Sequence, residues 1–305
     1  MFRLFIIGLL AALLPNVTMA QVTGAGATFP YPVYAKWAQA YKEEMGISIN
    51  YQSIGSGAGI KQIKSKTVIF GATDMPLPQN ELDEAGLVQF PMVIGGVVLG
   101  VNLGNISPTL TPEIVASIYL GKIKMWNDPE IAKLNPGITL PPVAITIIRR
   151  SDGSGTNYLF TKFLSDSSKE FKDKIGIGTS VSWPVGVGAK GNEGVANNLK
   201  IMSGSIGYVE YAYAKQNKLT MANLMLNGST VSPSANTFQS GKWPIAAPTY
   251  ILMYKDSGKA DLTKIALHFF EWAIDKGDAM AMELDYIPLS DQQKEANRVL
   301  WKTIK

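Results

Sequence analysis

The sequence predicts an α/β protein, and two observations support this class. Helical and strand-like patterns alternate along the chain, as layers of helices packed on a sheet require. Of the 305 residues, 46% are apolar and 17% are charged, which supplies a core and excludes a globally disordered chain. The length itself favours about two domains.

Residues 1–20 have the pattern of a secretory signal peptide. Arg3 precedes an apolar run over 4–14, and the segment ends in the small residue Ala20. The run is shorter than the roughly 20 residues of a membrane span, which favours a cleaved signal over a retained anchor. The absence of cysteine excludes disulfides and a lipid anchor on Cys. We therefore expect a free periplasmic protein of a Gram-negative bacterium.

Hydrophobic periodicity predicts the order of helices and strands. The predicted helices cover 30–45, 111–120, 128–134, 157–164, 262–282 and 292–301. The predicted strands cover 47–51, 90–103, 143–148 and 245–254, and residues 205–213 are predicted as a strand or a strand followed by a turn. We predict a turn at 24–26 and a loop at 55–59 that leads into a further helix.

Glycine and hydroxyl residues occur together in three segments close to predicted helix starts, at 24–30, 55–59 and 152–156. Glycine allows backbone N–H groups to approach a ligand, and a helix N-terminus adds unpaired donors and partial positive charge. Any one segment is better explained by Ser or Thr capping a helix. The three together predict a cage of neutral donors around an oxyanion.

Three charged residues, Arg150, Asp152 and Asp74, complete this candidate site. In an extended segment Arg150 and Asp152 point to the same side, so the Asp152 carboxylate can orient the Arg150 guanidinium while Arg149 faces away. The alternative is that Arg150 and Asp152 form a surface ion pair of little energetic value. Asp74 follows the apolar run 70–73. A carboxylate beside an anion fits a protonated anion such as phosphate and disfavours sulfate. The alternative role for Asp74 is a turn or helix cap.

Other chemistries have weak support in the sequence. His268 is the only histidine and cysteine is absent, which argues against His-based catalysis and metal clusters. Neither Ser56 nor Ser154 lies in a nucleophile elbow. Segment 186–191 has the spacing of a dinucleotide fingerprint, but Trp183-Pro184 interrupts the preceding strand, so we expect a loop at the cleft or surface. The net charge of +4 without clustered Lys/Arg argues against nucleic acid.

The sequence resembles the periplasmic phosphate-binding proteins of bacterial high-affinity phosphate ABC transporters. The matching segments are collinear and span most of the chain after residue 20. They are TGAGATFPYPVYAKW (23–37), NYQSIGSGAGIKQI (50–63), FGATDMPL (70–77), FPMVIGGVV (90–98), IYLGKIKMWND (118–128), RRSDGSGT (149–156), WPVGVGAKGNEGVA (183–196) and GSIGYVEYAYA (204–214). The stretch between Tyr213 and Trp243 is shorter than in enteric relatives.

The resemblance implies a two-lobed type II periplasmic-binding-protein fold, with mixed sheets flanked by helices and a ligand cleft between the lobes. Together with the long apolar strands near 93–101 and 247–254, which could cross between lobes, it gives lobe 1 as 21–93 plus 247–305 and lobe 2 as 94–246. The phosphate ligands carried over by position are Thr28, Phe29 (backbone), Ser56, Asp74, Arg150, Ser154, Gly155 and Thr156, with Asp152 paired to the arginine.

The expected protein is a non-enzymatic, monomeric carrier of inorganic phosphate that needs no cofactor or metal and docks on the permease subunits of an inner-membrane ABC transporter. Three alternatives stay open at this point. They are a carrier of another oxyanion such as sulfate or molybdate, a secreted phosphatase, and a phosphate sensor or adhesive surface protein on the same fold.

Overall fold

The computed structural model describes residues 22–305, so the predicted signal peptide at 1–20 lies outside the described residues. The strands are β1 (Val22–Gly26), β2 (Ile49–Ser53), β3 (Phe70–Thr73), β4 (Leu87–Val101), β5 (Thr109–Leu110), β6 (Thr146–Arg150), β7 (Val187–Ala189), β8 (Ser205–Glu210), β9 (Thr220–Met221), β10 (Asn223–Leu226), β11 (Ser229–Val231), β12 (Ala246–Tyr254) and β13 (Ile287–Pro288). The helices are α1 (Tyr31–Met45), α2 (Ser56–Lys64), α3 (Gln79–Ala85), α4 (Pro112–Tyr119), α5 (Pro129–Leu134), α6 (Gly155–Ser167), α7 (Lys169–Lys174), α8 (Gly191–Ile201), α9 (Tyr211–Gln216), α10 (Ala235–Gln239), α11 (Ala260–Lys276), α12 (Asp278–Glu283) and α13 (Asp291–Trp301).

Strand β4 joins two mixed sheets. The path of paired strands is β2-β1-β3-β12-β4-β8-β6-β7, with β9 and β13 also paired to β4, while β5, β10 and β11 form a small separate sheet. Residues 87–96 of β4 pair with β12, and residues 97–101 pair with β8. We call the strands on the β12 side sheet A and those on the β8 side sheet B.

Each sheet contains a parallel group of strands whose carboxyl ends lie at one edge. In sheet A, β1 runs parallel to β2 and β3; in sheet B, β6 runs parallel to β7 and β8. Strands β12 and β4 run antiparallel to their neighbours, so both sheets are mixed, as predicted. Ligands of open α/β sheets bind at the carboxyl ends of parallel strands, which directs attention to the residues that follow these strands.

Most predicted elements are present, with bounds that differ by a few residues. The strand predicted at 143–148 is found at Thr146–Arg150, so Arg150 is the last residue of β6. The helix predicted at 262–282 is two helices, because α11 ends before Gly277 and α12 begins after it. Glycine has low helix propensity, and the Trp37 indole N–H donates to the Gly277 carbonyl at 3.0 Å, so this position is closely packed.

The predictions for the glycine segments need correction. Residues 24–26 are not a turn but part of β1, where a Cβ at position 24 would lie 2.0 Å from the Phe70 ring; these glycines permit close packing. Segment 55–59 is helical from Ser56 onward.

The strand predicted at 205–213 ends at Glu210, and the chain continues as helix α9, which begins with Tyr211.

Among residues 22–305, no helix combines the length and the apolar character needed to cross a bilayer.

Candidate anion site

The candidate residues converge where the parallel strands of the two sheets end. Thr28 and Phe29 follow β1, Ser56 begins α2 after β2, and Asp74 follows β3. From sheet B, Arg150 ends β6, and Ser154, Gly155 and Thr156 form the start of α6. All eight predicted ligand residues are buried, whereas Arg149 and Asp152, at the edge of the cluster, are partly exposed. The fold therefore brings residues from both sheets to one place.

Ser56 links the two sides of this site. Its hydroxyl oxygen accepts hydrogen bonds from the backbone N–H of Asp74, at 3.3 Å, and from that of Gly155, at 3.0 Å. A Cβ at position 155 would lie 2.5 Å from Asp74 Oδ2 and 2.6 Å from Ser56 Oγ. Glycine is thus required at the first position of α6, because the helix N-terminus approaches the Asp74 carboxylate directly.

Asp74 is a buried carboxylate surrounded by donors. Thr249 Oγ1 donates to Asp74 Oδ1 at 2.9 Å, and both side chains are almost fully buried. Burial raises the pKa of Asp74 to about 7, although the Thr249 hydrogen bond, the Arg150 charge and the Ser56 hydrogen bond act in the opposite direction. Asp74 can therefore change its charge near neutral pH.

Arg150 is the buried cation of the site. Its Nε and Nη2 donate to the two oxygens of Asp152 at 2.8 and 2.6 Å, which confirms the pairing predicted from parity. Burial would raise the pKa of Asp152, but the Arg150 hydrogen bonds and charge outweigh it, and the pKa is lowered. Within residues 22–305, the remaining Nη1 of Arg150 is buried without a hydrogen-bond partner. This nitrogen is a donor available to an anion.

The start of α8 also contributes to the site, and sequence reasoning missed it. Asn192 donates from its backbone N–H and its Nδ2 to Thr28 Oγ1, at 3.1 and 2.8 Å, and Nδ2 also lies 3.2 Å from Thr156 Oγ1. The Gly191 N–H donates to Asp152 Oδ1 at 3.1 Å. Segment 186–191, predicted as a loop, contains strand β7 (Val187–Ala189) and ends at Gly191, the first residue of α8. The signal in the sequence that could have indicated this contribution is the series of glycines that ends directly before Asn192.

Ser154 and Phe29 have distinct local roles. Ser154 Oγ accepts from the Asn157 N–H at 3.1 Å and so caps α6, which leaves its hydroxyl proton free for a further acceptor. Phe29 is fully buried, and its N–H has no acceptor among residues 22–305. The Phe29 N–H is therefore available to donate to an anion, as its predicted role as a backbone ligand requires.

The arrangement suits binding of a dehydrated, partly protonated anion. It offers one guanidinium, the N-terminus of α6, several hydroxyls and one carboxylate that can accept a hydrogen bond from a protonated ligand oxygen. In the described part of the chain, no group of three or more acidic or histidine side chains is arranged to hold a metal ion.

Comparison with known proteins identifies the family. The profile of a family described as "PBP superfamily domain" matches residues 15–276. The "Phosphate-binding protein PstS" of Pasteurella multocida is 45% identical over 99% of this chain and 96% of that protein. Its namesake from Haemophilus influenzae is 46% identical over 95% of each chain. The chain belongs to the PstS family of phosphate-binding proteins. The family is one of binding proteins, in agreement with the prediction that this chain is not an enzyme.

Solved structures of related architecture agree with the PstS fold. The "high affinity periplasmic phosphate-binding protein (PfluDING)", solved with phosphate, superposes with a TM-score of 0.76 at 20% identity, over 92% of this chain and 93% of that one. A phosphate-binding protein from Stenotrophomonas maltophilia gives a TM-score of 0.70 at 20% identity, over 92% and 94%. At this identity, the likeness establishes the fold, which is the periplasmic-binding-protein fold predicted from the sequence.

Proposed function

We propose that this protein binds inorganic phosphate in the periplasm and delivers it to the permease subunits of an inner-membrane ABC transporter. Residues 1–20 would be removed as a signal peptide, and the mature protein would act as a monomer without a lipid anchor. The names of its PstS relatives support the ligand. The transporter class is supported by the similar fold of an "ABC-type phosphate transport receptor" from Vibrio cholerae.

The observation that carries this proposal is a buried carboxylate inside a cluster of donors. The ligands would be Thr28, the Phe29 N–H, Ser56, Asp74, Arg150, Ser154, Gly155 and Thr156, with Asp152 holding Arg150. An ionised Asp74 accepts a hydrogen bond from a protonated phosphate oxygen, whereas a fully ionised sulfate offers no proton and is repelled. Asp74 would thus discriminate phosphate from sulfate.

We further propose that the protein closes around its ligand as two lobes, 21–93 with 247–305 and 94–246. Three observations support this division. Strand β4 changes partner between residues 96 and 97, near the start of β12. The ligand groups are divided between sheet A and sheet B. The Gly57 N–H donates to the Gly153 carbonyl at 2.9 Å, so the two glycine segments touch across the cleft. In this proposal, the described structure corresponds to the closed form.

Isothermal titration with phosphate and sulfate tests the ligand. We expect tight 1:1 binding of phosphate and much weaker binding of sulfate at pH 8. Binding of sulfate as tight as that of phosphate would contradict the proposed specificity. Small-angle scattering of the same samples tests closure: saturating phosphate should reduce the radius of gyration, and an unchanged radius would contradict the two-lobe proposal.

A further inference from the structure

Three tyrosine hydroxyls hold three successive backbone carbonyls of the segment that carries Thr28 and Phe29. Tyr51 donates to the Ala27 carbonyl, Tyr213 to the Thr28 carbonyl and Tyr286 to the Phe29 carbonyl, each at 2.7 Å. The tyrosines come from β2, from α9 and from the residue before β13. Three parts of the chain thus hold three consecutive carbonyls by the same kind of hydrogen bond. We call these three tyrosines the clamp.

Within the clamp, Tyr213 determines where the Phe29 N–H points, and Phe29 is the residue of this segment whose backbone N–H is a proposed ligand. In a trans peptide the C=O and N–H bonds lie in one plane and point in opposite directions. The Thr28 carbonyl shares its peptide with the Phe29 N–H, so a hydrogen bond from Tyr213 orients that N–H away from Tyr213. The Phe29 carbonyl precedes Pro30, so Tyr286 fixes the next peptide, which has no N–H. Phe29 is therefore held on both sides.

Of these three hydrogen bonds, the one from Tyr213 joins the two sides of the site directly. Tyr213 lies on α9, which follows β8 of sheet B, whereas Thr28 follows β1 of sheet A. Tyr51 and Ala27 both belong to the sheet A side. The single hydroxyl proton of Tyr213 faces two acceptors, the Thr28 carbonyl at 2.7 Å and Glu193 Oε1 at 3.0 Å, and the shorter distance is to the carbonyl. Glu193 Oε1 also accepts from Ser53 Oγ of β2 at 3.1 Å. Tyr213 is thus part of a polar contact that forms where the two sheets meet.

We propose that Tyr213 is a positioning residue that couples closure of the cleft to the orientation of the Phe29 N–H. When the lobes close, the Tyr213 hydroxyl binds the Thr28 carbonyl, and the Phe29 N–H turns toward the anion. When they open, this restraint is lost and the N–H is free to reorient. Burial raises the pKa of Tyr213, so its hydroxyl stays protonated and able to donate. This inference rests on the proposed phosphate function and on the closing motion.

The test compares Tyr213→Phe with Tyr51→Phe, which removes the same kind of bond from the neighbouring carbonyl without crossing between the sheets. Loss of one buried hydrogen bond from the closed form should weaken phosphate binding by roughly tenfold in Tyr213→Phe. The loss should appear mainly as faster phosphate dissociation in stopped-flow measurements. Tyr51→Phe should lower thermal stability while its dissociation rate stays within about twofold of wild type.

The backbone amide signal of Phe29 supplies a readout that a general loss of stability would not move. In the phosphate-saturated protein, its ¹H shift should change more in Tyr213→Phe than in Tyr51→Phe. Equal dissociation rates for the two variants, or an unchanged Phe29 signal in Tyr213→Phe, would overturn the proposal. If wild type binds phosphate and Arg150→Ala does not, such a result counts against Tyr213 alone; if wild type does not bind phosphate, the proposed function itself fails.

A second variant covers the case in which Tyr213→Phe does not fold, as judged by circular dichroism. 3-Fluorotyrosine at position 213 keeps the hydroxyl and makes it a stronger donor because fluorine lowers its pKa. Phosphate should then dissociate more slowly than from wild type. An unchanged or faster dissociation rate would contradict the proposed role.

Discussion

Thr249 donates a hydrogen bond to Asp74, with 2.9 Å between Thr249 Oγ1 and Asp74 Oδ1, and the two residues are 175 positions apart in the sequence. Thr249 lies on β12, next to a register shift between Thr249 and Tyr250 in the pairing with β4. Such irregularities redirect side chains near functional sites. The hydroxyl stabilises the ionised form of Asp74 and opposes the effect of burial on its pKa.

Thr249→Val should raise the pKa of Asp74 above its value of about 7, because valine keeps the volume and removes the donor. At pH 7 a larger fraction of Asp74 would then be protonated, and selectivity for phosphate over sulfate should fall. Carbon-detected NMR titration of the Asp74 carboxyl measures the pKa. Thr263→Val is the matched control, since Thr263 is also buried but pairs with Ser257. An Asp74 pKa unaffected by Thr249→Val would contradict this role.

Asp74→Asn should reduce the ratio of phosphate to sulfate affinity. The amide oxygen can still accept a hydrogen bond from phosphate, so the free energy of phosphate binding should weaken by about 1–2 kcal/mol. Sulfate binding should improve, because the repulsion by the carboxylate is removed and the amide N–H₂ can donate to sulfate. Titration calorimetry of both anions measures the ratio, and circular dichroism checks the fold. Asp83→Asn, on an exposed helix position, is the control. If the ratio does not change, discrimination arises from the donor cage rather than from Asp74.

The same selectivity should depend on pH in wild type. Because the pKa of Asp74 is about 7, the carboxyl gains a proton as the pH falls from about 8 to 6 and becomes able to donate to sulfate. The affinity ratio should therefore decrease toward acid pH. Phosphate itself titrates in this range, so Asp74→Asn provides the baseline. Identical pH profiles for wild type and Asp74→Asn would show that Asp74 does not titrate there.

Arg150→Ala should weaken phosphate binding far more than Arg149→Ala. Arg150 is buried with Nη1 free of partners in the described chain, whereas Arg149 lies at the edge of the site. Hydrogen bonds to a charged group contribute about 1.5–3 kcal/mol. Arg150→Lys keeps the charge opposite Asp152 and serves as a variant with less effect on folding. Calorimetry that gives equal losses for Arg149→Ala and Arg150→Ala would show that the assignment of the binding arginine is wrong.

Glu210→Gln should flatten the pH dependence of stability. Burial raises the pKa of Glu210 from 4.5 to about 8, although the hydrogen bond from the Ala212 N–H opposes this effect. Between these values the folded state keeps a proton that the unfolded state has released, so stability falls as the pH rises. Thermal unfolding of the ligand-free protein should show a smaller decrease from pH 6 to pH 9 in Glu210→Gln. The exposed variant Glu271→Gln should behave like wild type; an equal slope in all three proteins would exclude Glu210 as a source.

Much of the local architecture follows from the sequence by itself. Apolar periodicity predicted α1, because burial of one helix face imposes a repeat that is visible in a single segment. Long apolar runs predicted β4 and β12, which are central strands of the fold. The pairing of Arg150 with Asp152 was also predictable, because two residues of like parity in an extended segment point to the same side. The family resemblance supplied the list of ligands, and the fold brings those residues together.

The tertiary structure alone decided which distant groups complete the site. Asn192 contacts Thr28 across 164 positions, Tyr213 reaches the Thr28 carbonyl across 185, and Tyr286 reaches the Phe29 carbonyl across 257. No periodicity or spacing predicts such contacts, because they depend on where β1, α8, β8 and β13 lie in the folded chain. The same limit explains the error at residues 24–26. A glycine-rich segment is compatible with a turn and with a tightly packed strand. The close packing of Phe70 against Gly24, which favours the strand, exists only in the folded protein.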